Sequence, residues 1–157
     1  MNAALFICNL LSLAIYIGFS WYWVDSTSGW WRSLRKPAWQ PPDWVFGTIW
    51  PYNFLMLAVA SFALATSGTD YVLWTLTFAE SVLASVWWGY EFYRSRNFVR
   101  ASVALGITAL STFPMMTVLW LNNTLMFWLL MPYQVWLLTA TSLCVGLYWL
   151  NQRTKSI

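Results

Sequence analysis

The sequence predicts an all-α integral membrane protein, a single bundle of five transmembrane helices made from the whole of residues 1–157. Three observations carry that expectation. Of 157 residues, 60% are hydrophobic and only 8% charged, too little charge to cover a soluble domain of this size. Apolar runs of about 20 residues, the length a helix needs to cross a hydrocarbon core, follow one another with little sequence between them. No ten-residue alternation of apolar and polar residues recurs, and backbone groups in lipid must be satisfied internally, so helices are preferred over a barrel.

The first helix is expected over about 3–24. It resembles a secretory signal in apolarity, but no base precedes it and it is long enough to span. The second is expected over 44–66, the third over 71–92, the fourth over 98–121 and the fifth over 125–150. Pro51, Pro114 and Pro132 fall inside spans, where each removes a backbone hydrogen bond and favours a kink. Cys8 and Cys144 both fall inside spans and read as small packing residues, not a disulfide pair. Glu80 is the one acid well inside a span, either a functional group or a protonated core residue. Trp74, near the start of the third span, is expected at the membrane interface. Ser81, Ser85 and Gly89 recur every four residues and predict close approach by another helix, of the same bundle or of a second copy in a homodimer.

Charge placement predicts topology. Arg32, Arg35 and Lys36 lie in the first loop, Arg94, Arg96 and Arg100 at the third connection, and Arg153 and Lys155 in the tail, which accounts for all eight bases. With five spans these segments share one side, so the positive-inside rule places the first loop and C-terminus in the cytoplasm. The same distribution explains the net charge of +3 without a nucleic-acid partner. Histidine is absent, which removes the usual general base and the commonest metal ligand; no catalytic or metal site is predicted.

The long first loop, 25–42, is where function is expected. Its end, KPAWQPPDWVFGTIW from Lys36 to Trp50, is dense in proline and tryptophan. Pro41 and Pro42 have φ preset and lack amide donors, so they suit a helix start, and Asp43 complements the helix dipole. Residues preceding Pro37 and Pro41 are biased to extended backbone, which makes the segment stiff. Phe46, Trp50 and Phe54, four apart, form one aromatic stripe on the helix that follows. Stiff loop and stripe together read as the lid and wall of a pocket, or as ordinary helix packing.

The residues of this region resemble the signature of the translocator protein family, also called tryptophan-rich sensory proteins or peripheral-type benzodiazepine receptors. The matching positions are Trp30, Trp31, Leu34, Lys36, Pro37, Trp39, Pro41, Pro42, Phe46 and Trp50; Pro132, Tyr133 and Trp136 match a second motif, and Asn151 a terminal Leu-Asn. The resemblance departs at Trp31 and Phe54, where tyrosine is frequent, at Ser81 and Ser85, where Gln and Asn precede the tryptophan matched by Trp88, and at Cys144, where asparagine is common. It implies a loop-capped pocket for porphyrins and other flat lipophiles, sterols included, formed by Trp31, Pro41, Phe46, Trp50, Phe54, Ser85, Trp88, Trp136 and Ala140. No cofactor is obligatory. Porphyrin or haem is the implied ligand, and without histidine a haem iron would need Tyr or Cys as axial ligand, or none. Val145, Tyr148 and Arg153 fit a loose sterol-contact pattern. The implied role is sensor or transporter, with light-dependent porphyrin degradation and a scaffold in another membrane complex as the alternatives.

Overall fold

A computed structural model describes residues 3–25, 28–67 and 70–152. The elements are α1 (Ala3–Trp23), a short α2 (Gly29–Ser33), α3 (Asp43–Ser67), α4 (Tyr71–Gly89), α5 (Phe98–Asn122) and α6 (Thr124–Asn151). The α4 helix widens into one π-helical turn, Tyr90–Arg94, before it ends. The helices start and stop where local chemistry directs. Ser28 Oγ accepts from Trp31 N at the head of α2, Asn97 Oδ1 from Arg100 N at the head of α5, and Asn123 Oδ1 from Met126 N at the head of α6. These side chains satisfy amides that a helix cannot pair itself. Pro41 and Pro42 stand immediately ahead of α3, and Val45 N donates to the Pro42 carbonyl.

Four of these helices, α1, α3, α5 and α6, are long and apolar enough to cross a membrane; α4 falls short in apolarity. The in-chain prolines do not interrupt the helices that hold them. At Pro132 the neighbouring turn finds an outside partner: Tyr52 Oη donates to the Leu129 carbonyl at 2.7 Å.

The long helices close a ring in which α1 touches α3, α3 touches α6, α6 touches α5, α5 touches α4, and α4 returns to α1. Polar side chains turn inward. Asn9 Nδ2 bridges α1 to Thr75 Oγ1 at 2.8 Å, Ser85 and Thr108 hydroxyls meet at 3.3 Å, and Gln134 Nε2 donates to the Ala109 carbonyl at 3.1 Å while its Oε1 accepts from Thr112. Outward positions instead carry Leu10, Leu11, Leu55, Phe62, Leu76, Leu83, Leu110, Trp128 and Val135. The core around these polar groups is itself apolar, with Leu57, Leu64, Leu105 and Leu137 fully buried, and in a lipid solvent interhelical hydrogen bonds and close packing hold helices that have no hydrophobic drive to associate.

Two expectations are corrected, and a third is decided between its two alternatives. Trp74, in the first turn of α4, does not face the surroundings: it is 0% exposed, and its indole Nε1 donates to Ser61 Oγ on α3 at 3.2 Å. Glu80 is neither a core residue nor near the aromatic cluster described below; it points outward from α4. The buried acid is Glu91, in the π-helical turn, whose Oε1 accepts from Trp87 Nε1 at 3.1 Å and lies 3.6 Å from the Arg100 guanidinium. The Ser81, Ser85 and Gly89 strip is buried within the chain, with Ser85 on α5 and Gly89 on Trp23 of α1, so it serves internal packing and not a dimer face. Cys8 and Cys144 are both free, Cys144 being the buried one.

Trp74→Ala should empty a ring-sized volume at the α3–α4 contact and cost about 3–5 kcal/mol. A thermal melt in mild detergent should show a large fall in midpoint, and Trp74→Phe a much smaller one.

Candidate functional site

The first loop is fastened to the end of α6 by backbone recognition. Asn151 Oδ1 accepts from Arg35 N at 2.9 Å and its Nδ2 donates to the Arg35 carbonyl at 3.0 Å, so one amide satisfies both backbone groups of a loop residue. One turn earlier, Gly146 leaves a notch for the loop. A Cβ placed there would meet Pro37 Cγ at 2.7 Å and Trp39 Cζ2 at 2.9 Å, closer than real side-chain carbons approach. Glycine is therefore required by close approach, not by backbone angle.

Aromatic rings lock the other half of the loop. Trp30 stacks on Phe98 of α5 with centroids 6.0 Å apart and meets Phe92 edge-on at 5.8 Å, while Trp31 lies 5.9 Å from the same Phe92. The Lys36 ammonium sits 4.7 Å from the Trp31 ring centre, and Arg96 5.1 Å from that of Trp30. Arg96 holds a left-handed backbone, φ 54°, that is disfavoured outside glycine and asparagine. Its stacking on Trp30 helps to offset that strain.

Beneath the loop the predicted aromatics converge. Trp50 is the hub: it is near-parallel to Trp88 (6.4 Å, 21°), edge-on to Trp136 (6.4 Å, 85°), and in contact with Phe54 at 5.7 Å. Phe46 packs edge-on against Trp136 at 5.0 Å. Trp88 touches Phe92 at 5.8 Å, which connects the cluster to Trp31 and so to the loop. Of the nine predicted residues, Trp31, Phe46, Trp50, Phe54, Trp88 and Trp136 thus join one ring network. Ser85 lies one turn before Trp88 with its hydroxyl on Thr108, Pro41 is half-buried at the joint of loop and α3, and Ala140 is half-buried one turn beyond Trp136. Val145 is on the outer face of α6 and Tyr148 packs on Trp149, whereas Arg153 lies outside the described residues.

Two participants were not singled out from sequence. Tyr16 of α1 lies 5.9 Å from Trp50 and 5.2 Å from Phe54, and its hydroxyl accepts from Tyr133 Oη at 3.4 Å. Its signal is visible in hindsight, since Asn9 and Tyr16 stand seven apart on the one buried stripe of an otherwise apolar helix. Phe92 had no such signal; only the packing of α2 on the π-helical turn makes it the link between loop and cluster.

The indole Nε1 atoms of Trp88 and Trp136 are buried with no hydrogen-bond partner among the described residues. Buried donors without acceptors carry a cost of about 1–3 kcal/mol each, and a ligand acceptor can relieve it. The rings touch one another, and the adjoining groove between α1 and α4 holds only about 10 Å³, far below the roughly 300–1,000 Å³ typical of ligand pockets. Entry of a flat ligand therefore requires the rings to part.

Fold and site together define a multi-pass helical membrane protein whose first loop is docked over an aromatic cluster with unpaired indole donors. The chain belongs to the TspO/MBR family, whose pattern it matches over residues 5–150. It is similar to the tryptophan-rich protein TspO of Archaeoglobus fulgidus, at 25% identity over 96% of this chain and 99% of that protein. Protein CrtK of Rhodobacter capsulatus is 25% identical over 85% of this chain and 86% of its own. The human translocator protein is 29% identical over 73% of this chain and 70% of its own.

Gly146→Val and Asn151→Ala should each lift the loop without unfolding the ring. Amide exchange across residues 34–42 should accelerate by about tenfold or more, the factor equivalent to about 1.4 kcal/mol, while exchange in α5 stays unchanged.

Proposed function

We propose that this protein binds tetrapyrroles and similar flat lipophiles in the aromatic cluster beneath the first loop, as a sensor or transporter. The observation that carries the reading is the near-parallel Trp50 and Trp88 pair with Trp136 edge-on to it, next to the two unpaired indole donors. Parallel rings match the faces of a flat conjugated ligand, at little conformational entropy cost, and the donors match acceptors at its periphery. The names of similar proteins agree in kind: a relative in Cereibacter sphaeroides is a tryptophan-rich sensory protein, and the human one a translocator protein. Sterol contact through Val145 and Tyr148 on the outer face of α6 belongs to the same proposal.

All five long helices cross the membrane in this reading. α4 has 19 residues, about 28 Å at 1.5 Å per residue, close to the thickness of a hydrocarbon core of about 30 Å. It also completes the ring between α1 and α5, which supports a course across the bilayer alongside them. The contacts of Arg35 with Asn151, Arg94 with Trp23 and Arg96 with Trp30 gather the described cations at one end of the bundle, the cytoplasmic end by the positive-inside rule. Reporters inserted in the 25–42 loop and fused after Ile157 should therefore report the same compartment, with the N-terminus opposite. Opposite readings would remove one span from the scheme.

Binding is tested by fluorescence titration with protoporphyrin. Trp50→Ala and Trp136→Ala each remove a ring contact of about 0.5–1.5 kcal/mol together with its buried area, so affinity should fall by roughly tenfold or more. Trp74 is unsuitable as a control because it is core. Trp21, 83% exposed on α1, is the proper one, and Trp21→Ala should leave affinity unchanged. Equal losses in all three variants would refute the assignment. Illuminating the complex adds a second readout: an unaltered pigment spectrum marks a binder, a defined product with turnover an enzyme.

A further inference from the structure

The last turns of α1 and α4 face each other through matched stripes. Tyr16, Ser20 and Trp23 recur at helical spacing on α1, and Ser85, Trp88 and Gly89 on α4, and together they line a space of about 10 Å³. One water molecule needs about 10–15 Å³. Two of the lining rings, Trp23 and Trp88, bury an indole Nε1 with no hydrogen-bond partner among the described residues. Packing turns the Trp23 donor edge toward α4: a Cβ at Gly89 would meet Trp23 Cδ1, the atom bonded to Nε1, at 3.1 Å. Phe19 stacks on the same ring at 6.0 Å and Tyr90 meets it edge-on at 5.4 Å, so its orientation is held from several sides.

The hydroxyls supply the complementary half. Thr108 donates its proton to the Ala104 carbonyl at 3.0 Å, so the 3.3 Å contact between Ser85 and Thr108 has Ser85 as donor, and a Ser85 lone pair is left to accept. Ser20 brings a second hydroxyl from the facing stripe. Two N–H donors and two hydroxyl acceptors around one small space match the two bonds a water accepts and the two it donates. An indole N–H can only donate, so the two rings cannot satisfy each other and need an acceptor between them. The space is too small for that acceptor to be an arm of a large ligand.

We propose that the space between the last turns of α1 and α4 is a single-water site: one ordered water accepts from the Trp23 and Trp88 indole N–H groups and donates to the Ser20 and Ser85 hydroxyls. A bridging water is enthalpically close to a direct hydrogen bond, so it joins α1 to α4 at the end of the seam opposite the Asn9–Thr75 bond. It also ties to α1 the ring that lies near-parallel to Trp50. The inference stands apart from the tetrapyrrole reading. A ligand acceptor that reaches Trp88 competes with this water for one N–H, while Trp136 keeps its own donor.

The experiment labels tryptophan isotopically in the full chain in mild detergent and measures magnetisation transfer between each indole N–H and water by NMR, with resonances assigned through single Trp→Phe substitutions. Trp23 and Trp88 should show transfer of opposite sign in the laboratory and rotating frames, the mark of a held water and not of passing solvent. Trp74 is the internal reference: its N–H is bonded to the Ser61 hydroxyl, so it gauges the transfer that a serine proton relays. Signals at Trp23 and Trp88 no stronger than that of Trp74 overturn the site. Ser20→Val puts methyl groups into the space and removes one acceptor, so both signals should be lost together. Retention of either one in that variant also overturns the site, because a shared water cannot leave one ring and stay at the other. Should Ser20→Val prove unstable by thermal melt, Ser20→Ala takes its place and should reduce both signals, with either one at full strength overturning the site.

Discussion

A few polar side chains held inside an otherwise apolar bundle govern which helix faces can meet. In hydrocarbon a helix gains little by hiding leucine, so association depends on hydrogen bonds and close packing. Asn9 to Thr75, Ser85 to Thr108 and Gln134 to Ala109 are of that kind, at three of the five seams of the ring, and Trp74 to Ser61 joins α4 to α3 across it. They fix the rotation of each helix. Once α4 is turned to present Ser81 and Ser85 inward, Trp88 has to face Trp50, and Glu80 has to face out.

The loop depends on the same ring through two small features of α6. Asn151 can reach Arg35 only from the last turn of that helix, and Gly146 can admit Pro37 and Trp39 only because it has no Cβ. Proline stiffness in the loop lowers the entropy lost on docking. The roof of the site is thereby fastened by contacts between residues more than 100 positions apart, and the Trp31–Phe92–Trp88 chain of rings joins it to the floor.

The π-helical turn at the end of α4 has a structural consequence at each of its neighbours. It buries Glu91, which accepts from Trp87 and pairs with exposed Arg100, and it turns Phe92 toward both Trp30 and Trp31. Insertions of this type are frequent at functional sites because they re-aim side chains without ending the helix. Here the re-aimed residue, Phe92, lies between the loop and the aromatic cluster.

Much of this was legible beforehand. Hydropathy placed the long helices to within about three residues at either end, and the Trp50 stripe, Trp136 and Trp88 were identified through spacing and family resemblance. Those features are local or one-dimensional: a run of apolar residues, a four-residue repeat, a proline before a helix. What sequence could not supply is the rotation of each helix about its own axis. Where nearly every position is apolar, periodicity carries almost no information about which face turns inward. That is why Trp74 was expected at an interface and lies in the core, why Glu80 was weighed as the buried acid when Glu91 is, and why Tyr16 and Phe92 went unmarked. The sequence by itself determined that the chain is helical, membrane-bound and capped by a stiff aromatic loop; only the tertiary structure decided which rings meet and which indole donors lack a partner, because those follow from contacts between helices distant in the chain.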